Sequence, residues 1–152
     1  MPRPESFWRD APLSVFLVKS VVTRTAHGTR LCDHAGMRPS ILIVDDDERF
    51  RGIARRLLEA EGFDVVGEAG DGEAALAAAR ELGPDVVLLD IQLPGRDGLE
   101  IAEQLAEDGG PAVVLTSTRD ECDFGSQLHE AGARGFVPKG ELSAERIMSL
   151  CE

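Results

Sequence analysis

The residues with chemical potential in this sequence stand at the ends of apolar runs. "SILIV" (40–44) runs into Asp45, Asp46 and Asp47, and "VVLL" (86–89) runs into Asp90. "AVVLTS" (112–117) carries Thr116, and "GFVP" (135–138) leads directly to Lys139. A carboxylate is costly to place at the end of a buried strand. Carboxylates crowded together also repel, and one of them takes up a proton unless a cation joins them. Oxygen-only ligands suit Mg²⁺, which takes one or two carboxylates and keeps several waters. No Cys/His cluster competes for zinc: His27, His34 and His129 are scattered, and Cys32, Cys122 and Cys151 lack metal-type spacing. Carboxylates, a divalent cation, the Lys139 ammonium and the Thr116 hydroxyl would together suit a tetrahedral oxyanion. Phosphoryl transfer asks for little beyond positioning and such compensating charge. A carboxylate can itself be the nucleophile, giving an aspartyl-phosphate. The expected acceptor is Asp90.

These residues meet only if the elements bearing them form one sheet. The run at 40–44 and the run at 86–90 read as strands buried on both faces, as in a parallel sheet. Between them, "ERFRGIARRLLEAEG" places Phe50, Ile53, Leu57 and Leu58 at helical spacing, with Gly62 as its stop. A short strand follows at 63–69, then an alanine-rich helix at 71–83. A third helix is expected at about 98–108, a strand at 112–117, a helix near 120–131 and a short strand at 135–138. In the fourth helix Phe124, Leu128 and Ala131 share a face. Ser143 is the expected N-cap of a last helix, with Leu142 and Ile147 as its hydrophobic staple. Five strands, each followed by a helix, give an α/β fold: a doubly wound five-stranded parallel sheet of flavodoxin-like order 2-1-3-4-5. In that order strands 1 and 3 are neighbours at the switch point, so Asp45, Asp46 and Asp90 should converge.

The chain of 152 residues is long enough for one domain with a proper core. Its formal net charge of −12 argues against nucleic acid or an anionic membrane as partner. Residues 1–39 carry six basic and three acidic side chains, whereas the rest carries 10 basic and 25 acidic ones. The shift marks a boundary near residue 39, dividing an N-terminal extension (1–39) from the domain (40–152). The apolar run "PLSVFLV" (12–18) is too short to span a membrane, and the residues before it lack the positive bias of a signal peptide. Met37 is an alternative start, and the extension is expected to be mobile or weakly docked. Three cysteines without pairing spacing fit a reduced, cytoplasmic setting.

In order and spacing, "ILIVDDD" (41–47), "VVLLDIQLPGRDG" (86–98), "VVLTS" (113–117) and "ARGFVPKG" (133–140) resemble the receiver domain of two-component response regulators. The resemblance implies that Asp45 and Asp46 are the acidic pair, Asp90 the phospho-acceptor, Thr116 the switch hydroxyl and Lys139 the family's lysine. It implies Mg²⁺ held by Asp45, Asp46, Asp90 and the backbone carbonyl of Gln92. It further implies that Thr116 and Lys139 bind the phosphoryl group, that Phe136 is the switch ring beside Thr116, and that Gln92 and Thr118 tune the reset rate. The implied donor is the phosphohistidine of a sensor kinase or phosphotransfer protein, and the implied output is a protein target. The surface of helix 4, strand 5 and helix 5 is the implied homodimer face. Two departures stand out. Gly140 follows the lysine where many receivers have proline, so no cis bond is expected there. The chain contains no tyrosine, so Phe136 has no hydroxyl to present to a partner.

A DNA-binding output module would need about sixty further residues, so the expectation is a receiver without a DNA-binding output domain, acting through protein contacts or by passing phosphate onward. It is expected to be a self-phosphorylating and self-dephosphorylating switch rather than a turnover enzyme. Two alternatives stay open. One is a receiver-like interaction module controlled by association and not by phosphate. The other is a small-substrate phosphatase, for which Gln92 stands where a second, acid/base carboxylate would be needed. Other readings are structural: Asp47 as a helix cap, Asp97 and Gly98 as a loop and helix start, Gly95 as a turn residue, and His129 as an exposed helix residue.

Overall fold

The computed structural model describes residues 38–119 and 124–151. Its strands are β1 (Ser40–Val44), β2 (Asp64–Ala69), β3 (Val86–Asp90), β4 (Ala112–Ser117) and β5 (Gly135–Pro138). Between and after them lie α1 (Glu48–Ala60), α2 (Gly72–Leu82), α3 (Gly98–Ala106), α4 (Gln127–Glu130) and α5 (Ala144–Cys151). The strands form one parallel sheet of order β2-β1-β3-β4-β5, as the flavodoxin-like reading requires.

Alternation along each strand splits the core in two. Leu42, Val44, Val87, Leu89, Val113 and Leu115 face α2, α3 and α4 on one side, through Ala75, Ile101, Leu105 and Leu128. Ile41, Ile43, Val86, Leu88, Val114 and Val137 face α1 and α5 on the other, through Ala54, Leu58 and Ile147. β1 and β3 are buried at every position because helices cover both faces.

Local capping sets the helix starts. Asp47 caps α1, its carboxylate accepting the N–H groups of Arg49 and Phe50. Asp71 caps α2 by accepting from Ala74 N–H, and Gly83 in the left-handed region ends it. The expected helix 71–83 therefore loses one residue at each end to its caps. Ser143 Oγ accepts the Arg146 N–H at 3.2 Å ahead of α5, and Leu142 and Ile147 pack in the same cluster.

Several boundaries differ from the sequence reading. Phe63 belongs to the turn that ends α1 and not to β2, because its N–H donates to Leu58 O at 2.9 Å. α3 stops at Ala106, and Glu107–Gly109 form a 3-10 turn ahead of Gly110-Pro111, a pair that cannot prolong a helix. Of the helix expected near 120–131, residues 120–123 lie outside the described residues. Among the described ones the α-helical part is Gln127–Glu130, with Leu128 and Ala131 buried and Phe124 packed against the same cluster. In α1 the buried stripe runs through Ala54 and Leu58 with Phe50 half-buried, and Ile53 is 58% exposed. Ile53 lies one position, about 100° of helix, away from Ala54, so it misses the stripe. Among the described residues no peptide is cis. The extension 1–37, including the "PLSVFLV" run, His27, His34 and Cys32, lies outside the described residues, as does Cys122.

Candidate functional site at the carboxyl edge of the sheet

Parallel pairing brings the expected residues to one edge. Val44 pairs with Leu89, so Asp45 and Asp90 leave adjacent strands side by side. Asp90 is the register partner of Thr116, and Thr116 is that of Val137, two residues before Lys139. One carboxylate oxygen from each of Asp45, Asp46 and Asp90 lies within 4.8 Å of the others. Asp45 and Asp90 are buried, while Asp46 is exposed and opens the cluster to solvent.

Lys139 bridges the two buried acids. Its Nζ is 2.6 Å from Asp45 Oδ2 and 3.4 Å from Asp90 Oδ2. The other Asp45 oxygen accepts the N–H of Asp47 at 2.8 Å, and Asp90 Oδ1 accepts that of Gln92 at 3.0 Å. Asp45 Oδ2 is sealed from water and has no aligned hydrogen-bond donor. The ammonium beside it compensates its charge but is shared with Asp90. An acceptor in that condition, in an oxygen-only set with an exposed third carboxylate, fits a hard divalent cation.

Electrostatics mark the same pair. Burial, its largest cause, pushes the Asp90 carboxyl above the usual carboxylate range. The Gln92 N–H pulls the other way, Asp45 adds to the rise, and Lys139 opposes it. Burial also works against the Lys139 charge, but Asp45 and Asp90 outweigh it and hold the ammonium above its ordinary value.

The loop after β3 is shaped to keep Asp90 in place. Gly95 adopts a positive φ of 82° in the turn. At Gly98 a Cβ would lie 2.5 Å from the carbonyl oxygens of Asp90 and Ile91, so only glycine lets α3 begin this close to β3. Asp97 caps α3 by accepting from Leu99 N–H. The expected structural roles of Asp47, Gly95, Asp97 and Gly98 are thus all met.

Of the remaining sequence-derived candidates, Thr116 is buried and its hydroxyl donates to Val137 O at 2.6 Å. Phe136 is buried and packs against Phe124, with ring centroids 6.0 Å apart. Gln92 and Thr118 are both exposed beside the cluster's strand ends. The exposed position of His129 is as expected.

Three contributors were not singled out from sequence. Ser117 is buried, and its Oγ lies 3.4 Å from Gln92 Oε1, linking the two loops at the mouth. Arg51 Nη1 donates to the carbonyl of Asp45 at 2.6 Å and bolts α1 to the acidic loop. Phe50 presents its ring to Lys139, with Nζ 4.6 Å from the centroid. Arg51 carries no motif. Phe50 is visible in the sequence only as one apolar residue of an amphipathic helix.

Comparison with known proteins identifies the family and the fold. The response regulator receiver domain family matches residues 41–152. The response regulator GacA of Pseudomonas viridiflava is 41% identical over 112 residues, which cover 72% of this chain and 52% of that protein. The DNA-binding response regulator MtrA of Mycolicibacterium smegmatis is 45% identical over 104 residues, 68% of this chain and 45% of that protein. The chain spans about half the length of these curated relatives. Among solved structures, the signal receiver domain of NarL from Mycobacterium tuberculosis superposes with a TM-score of 0.67 at 33% identity, covering 74% of this chain and 96% of that one. Among the described residues no helix is long and apolar enough to cross a membrane.

Proposed function

This chain belongs to the response regulator receiver family, and from that premise we propose that it is a phosphorylatable switch with Asp90 as its acceptor. The observation that carries the reading is the convergence of Asp45, Asp46 and Asp90 within 4.8 Å, with the Lys139 ammonium bridging Asp45 and Asp90. Receiver domains generally use Mg²⁺ at such an acidic pocket. Here Asp45, Asp46, Asp90 and the Gln92 carbonyl would hold it. When bound, it supplies positive charge against the acids and the incoming phosphoryl oxygens.

The chain's own groups do the rest. A carboxylate oxygen of Asp90 forms the new O–P bond in line with the breaking P–N bond of a donor phosphohistidine. The bond pair leaves on the imidazole nitrogen, which takes up a proton. Lys139, shared between Asp45 and Asp90 in the resting site, turns to the phosphoryl oxygens. The Thr116 hydroxyl exchanges Val137 O for a phosphoryl oxygen, and Phe136 on the neighbouring strand feels the loss of that bond. Attack of water on phosphorus releases inorganic phosphate and restores the Asp90 carboxylate. Gln92 and Thr118, exposed at the mouth, set the approach of that water. The donor is a sensor histidine kinase or a phosphotransfer protein. The output runs through protein contacts on the α4-β5-α5 side, for which a second copy is one occupant. The acidic body of the domain favours protein over nucleic acid as the immediate partner.

The test is incubation with acetyl phosphate and Mg²⁺, read by intact mass. A gain of one phosphoryl group that Asp90→Asn abolishes is the expected result. A folded wild-type protein that gains none would turn the reading to an interaction module controlled by association alone.

A further inference from the structure

Lys139 is held by more than the two acids it bridges. Its Nζ stands 4.6 Å from the centroid of the Phe50 ring, well inside the range of a cation–π contact. The ring comes from the first turn of α1, and that turn is fixed by the Asp47 cap, which accepts the N–H groups of Arg49 and Phe50. Phe50 also packs half-buried against the α1/α5 core, so its position is determined from below.

We infer that Phe50 is a positioning residue for Lys139, keeping the ammonium over the site when the carboxylates are otherwise engaged. The inference rests on the reading of Asp90 as acceptor. The resting ammonium sits nearer Asp45 than Asp90, at 2.6 against 3.4 Å. The carboxylates that hold it are the same ones a divalent cation would occupy. Once they are shared with another cation, their pull on the ammonium weakens. The ring is neutral, offers no ligand atom to a metal and makes no claim on phosphoryl oxygens. Its attraction for the ammonium therefore persists through the change, and a flexible four-carbon side chain stays at the reacting centre without paying its ordering entropy anew.

The experiment compares wild type with Phe50→Met, which keeps the apolar volume and removes the ring, and with Phe50→Tyr, which keeps the ring. The first readout is the NMR position of the Lys139 Cε protons, which a ring face moves upfield. The displacement should appear in wild type and Phe50→Tyr and vanish in Phe50→Met. The second is the rate of phosphorylation by acetyl phosphate at fixed Mg²⁺, which should fall about fivefold in Phe50→Met and recover in Phe50→Tyr. Undisplaced Lys139 protons in wild type, or a Phe50→Met rate equal to that of a reactive wild type, would overturn the inference. A wild type that accepts no phosphoryl group refutes Asp90 as acceptor instead, and the Lys139 protons alone then decide the role of the ring.

Discussion

Two charged regions flank the β1–α1 loop, and they are built on opposite principles. At the carboxyl edge of the sheet, Asp45, Asp46 and Asp90 crowd together with the Lys139 ammonium among them. On the β2 side, Glu68 receives two guanidinium groups, Arg51 at 3.0 Å and Arg55 at 2.7 Å, and Arg55 also reaches Glu59 at 3.2 Å. The first region is buried apart from Asp46 and short of positive charge, while the second lies at the surface with its charges matched, two guanidinium groups to Glu68 and Glu59. Arg51 belongs to both, since it also donates to the Asp45 carbonyl. The satisfied region is a brace that fixes α1 against β2 and, through Arg51, fixes the loop bearing Asp45. The unsatisfied region is the one we propose takes up a cation. A structural ion pair is completed within the fold, whereas a binding site is left incomplete.

The sharpest way to break this comparison is to remove the bridging ammonium. In Lys139→Met two buried carboxylates face each other with no cation between them. We expect a loss of about 2–3 kcal/mol at neutral pH in metal-free buffer, below the full penalty of a broken buried pair because the site opens to water through Asp46. Mg²⁺ should recover part of it, about 1.4 kcal/mol at ten times its dissociation constant. Urea denaturation with and without Mg²⁺ measures both effects. A variant as stable as wild type in metal-free buffer would show that the acids do not strain the fold.

Asp90→Asn sharpens the contrast from the other side. Ionised Asp90 is disfavoured in the folded protein, first by burial and further by Asp45. The folded state therefore holds the Asp90 proton more tightly than the unfolded chain does, and wild-type stability falls as pH rises from about 3.9 through the raised value. Removing the charge should stabilise the protein by about 1 kcal/mol at pH 7. It should also flatten that part of the pH profile and weaken stabilisation by Mg²⁺. Thermal unfolding across pH 4 to 7 (roughly the window set by ordinary carboxylates) reads all of these, and a destabilised Asp90→Asn would contradict the assignment of strain to this carboxylate.

The unsatisfied region was the more legible of the two. A two-faced apolar run ending in aspartate has few structural explanations, so Asp45, Asp90 and the strands beneath them could be read with their bounds at 40–44 and 86–90, as observed. The brace could not be read. Glu68 and Arg51 are ordinary charged residues, and their pairing depends on how α1 lies across β2, which no local pattern encodes. Phe50 illustrates the same limit. Helical spacing placed it on an apolar face, but the approach of Lys139, just after β5, to its ring is a tertiary fact. Ile53 failed for a different reason. An amphipathic stripe has width, and a residue one step off its centre falls on either side of the boundary with solvent. Among the described residues the fourth helix is α-helical only over the single turn Gln127–Glu130, below the length at which periodicity carries a boundary.

The smallest expected effect lies in the brace, and it tests whether that region is as inert as its full pairing suggests. The hydrogen bond from Arg55 is the largest influence on Glu68. Burial opposes it, but Arg51 adds to it, and the carboxyl ends below its ordinary value. The unfolded chain then binds the Glu68 proton more tightly than the folded one. The stabilisation is present above the unfolded value of about 4.3 and is lost as pH falls through the lower folded value, the reverse of the trend for Asp90. Because the pairs are exposed, Glu68→Gln should cost only about 0.5–1 kcal/mol at pH 7, and high salt should shrink the loss. It should leave stabilisation by Mg²⁺ unchanged. If Glu68→Gln instead altered the response to Mg²⁺, the two regions would be one coupled network through Arg51, and the loop carrying Asp45 would take its position from the brace and not from the strand beneath it.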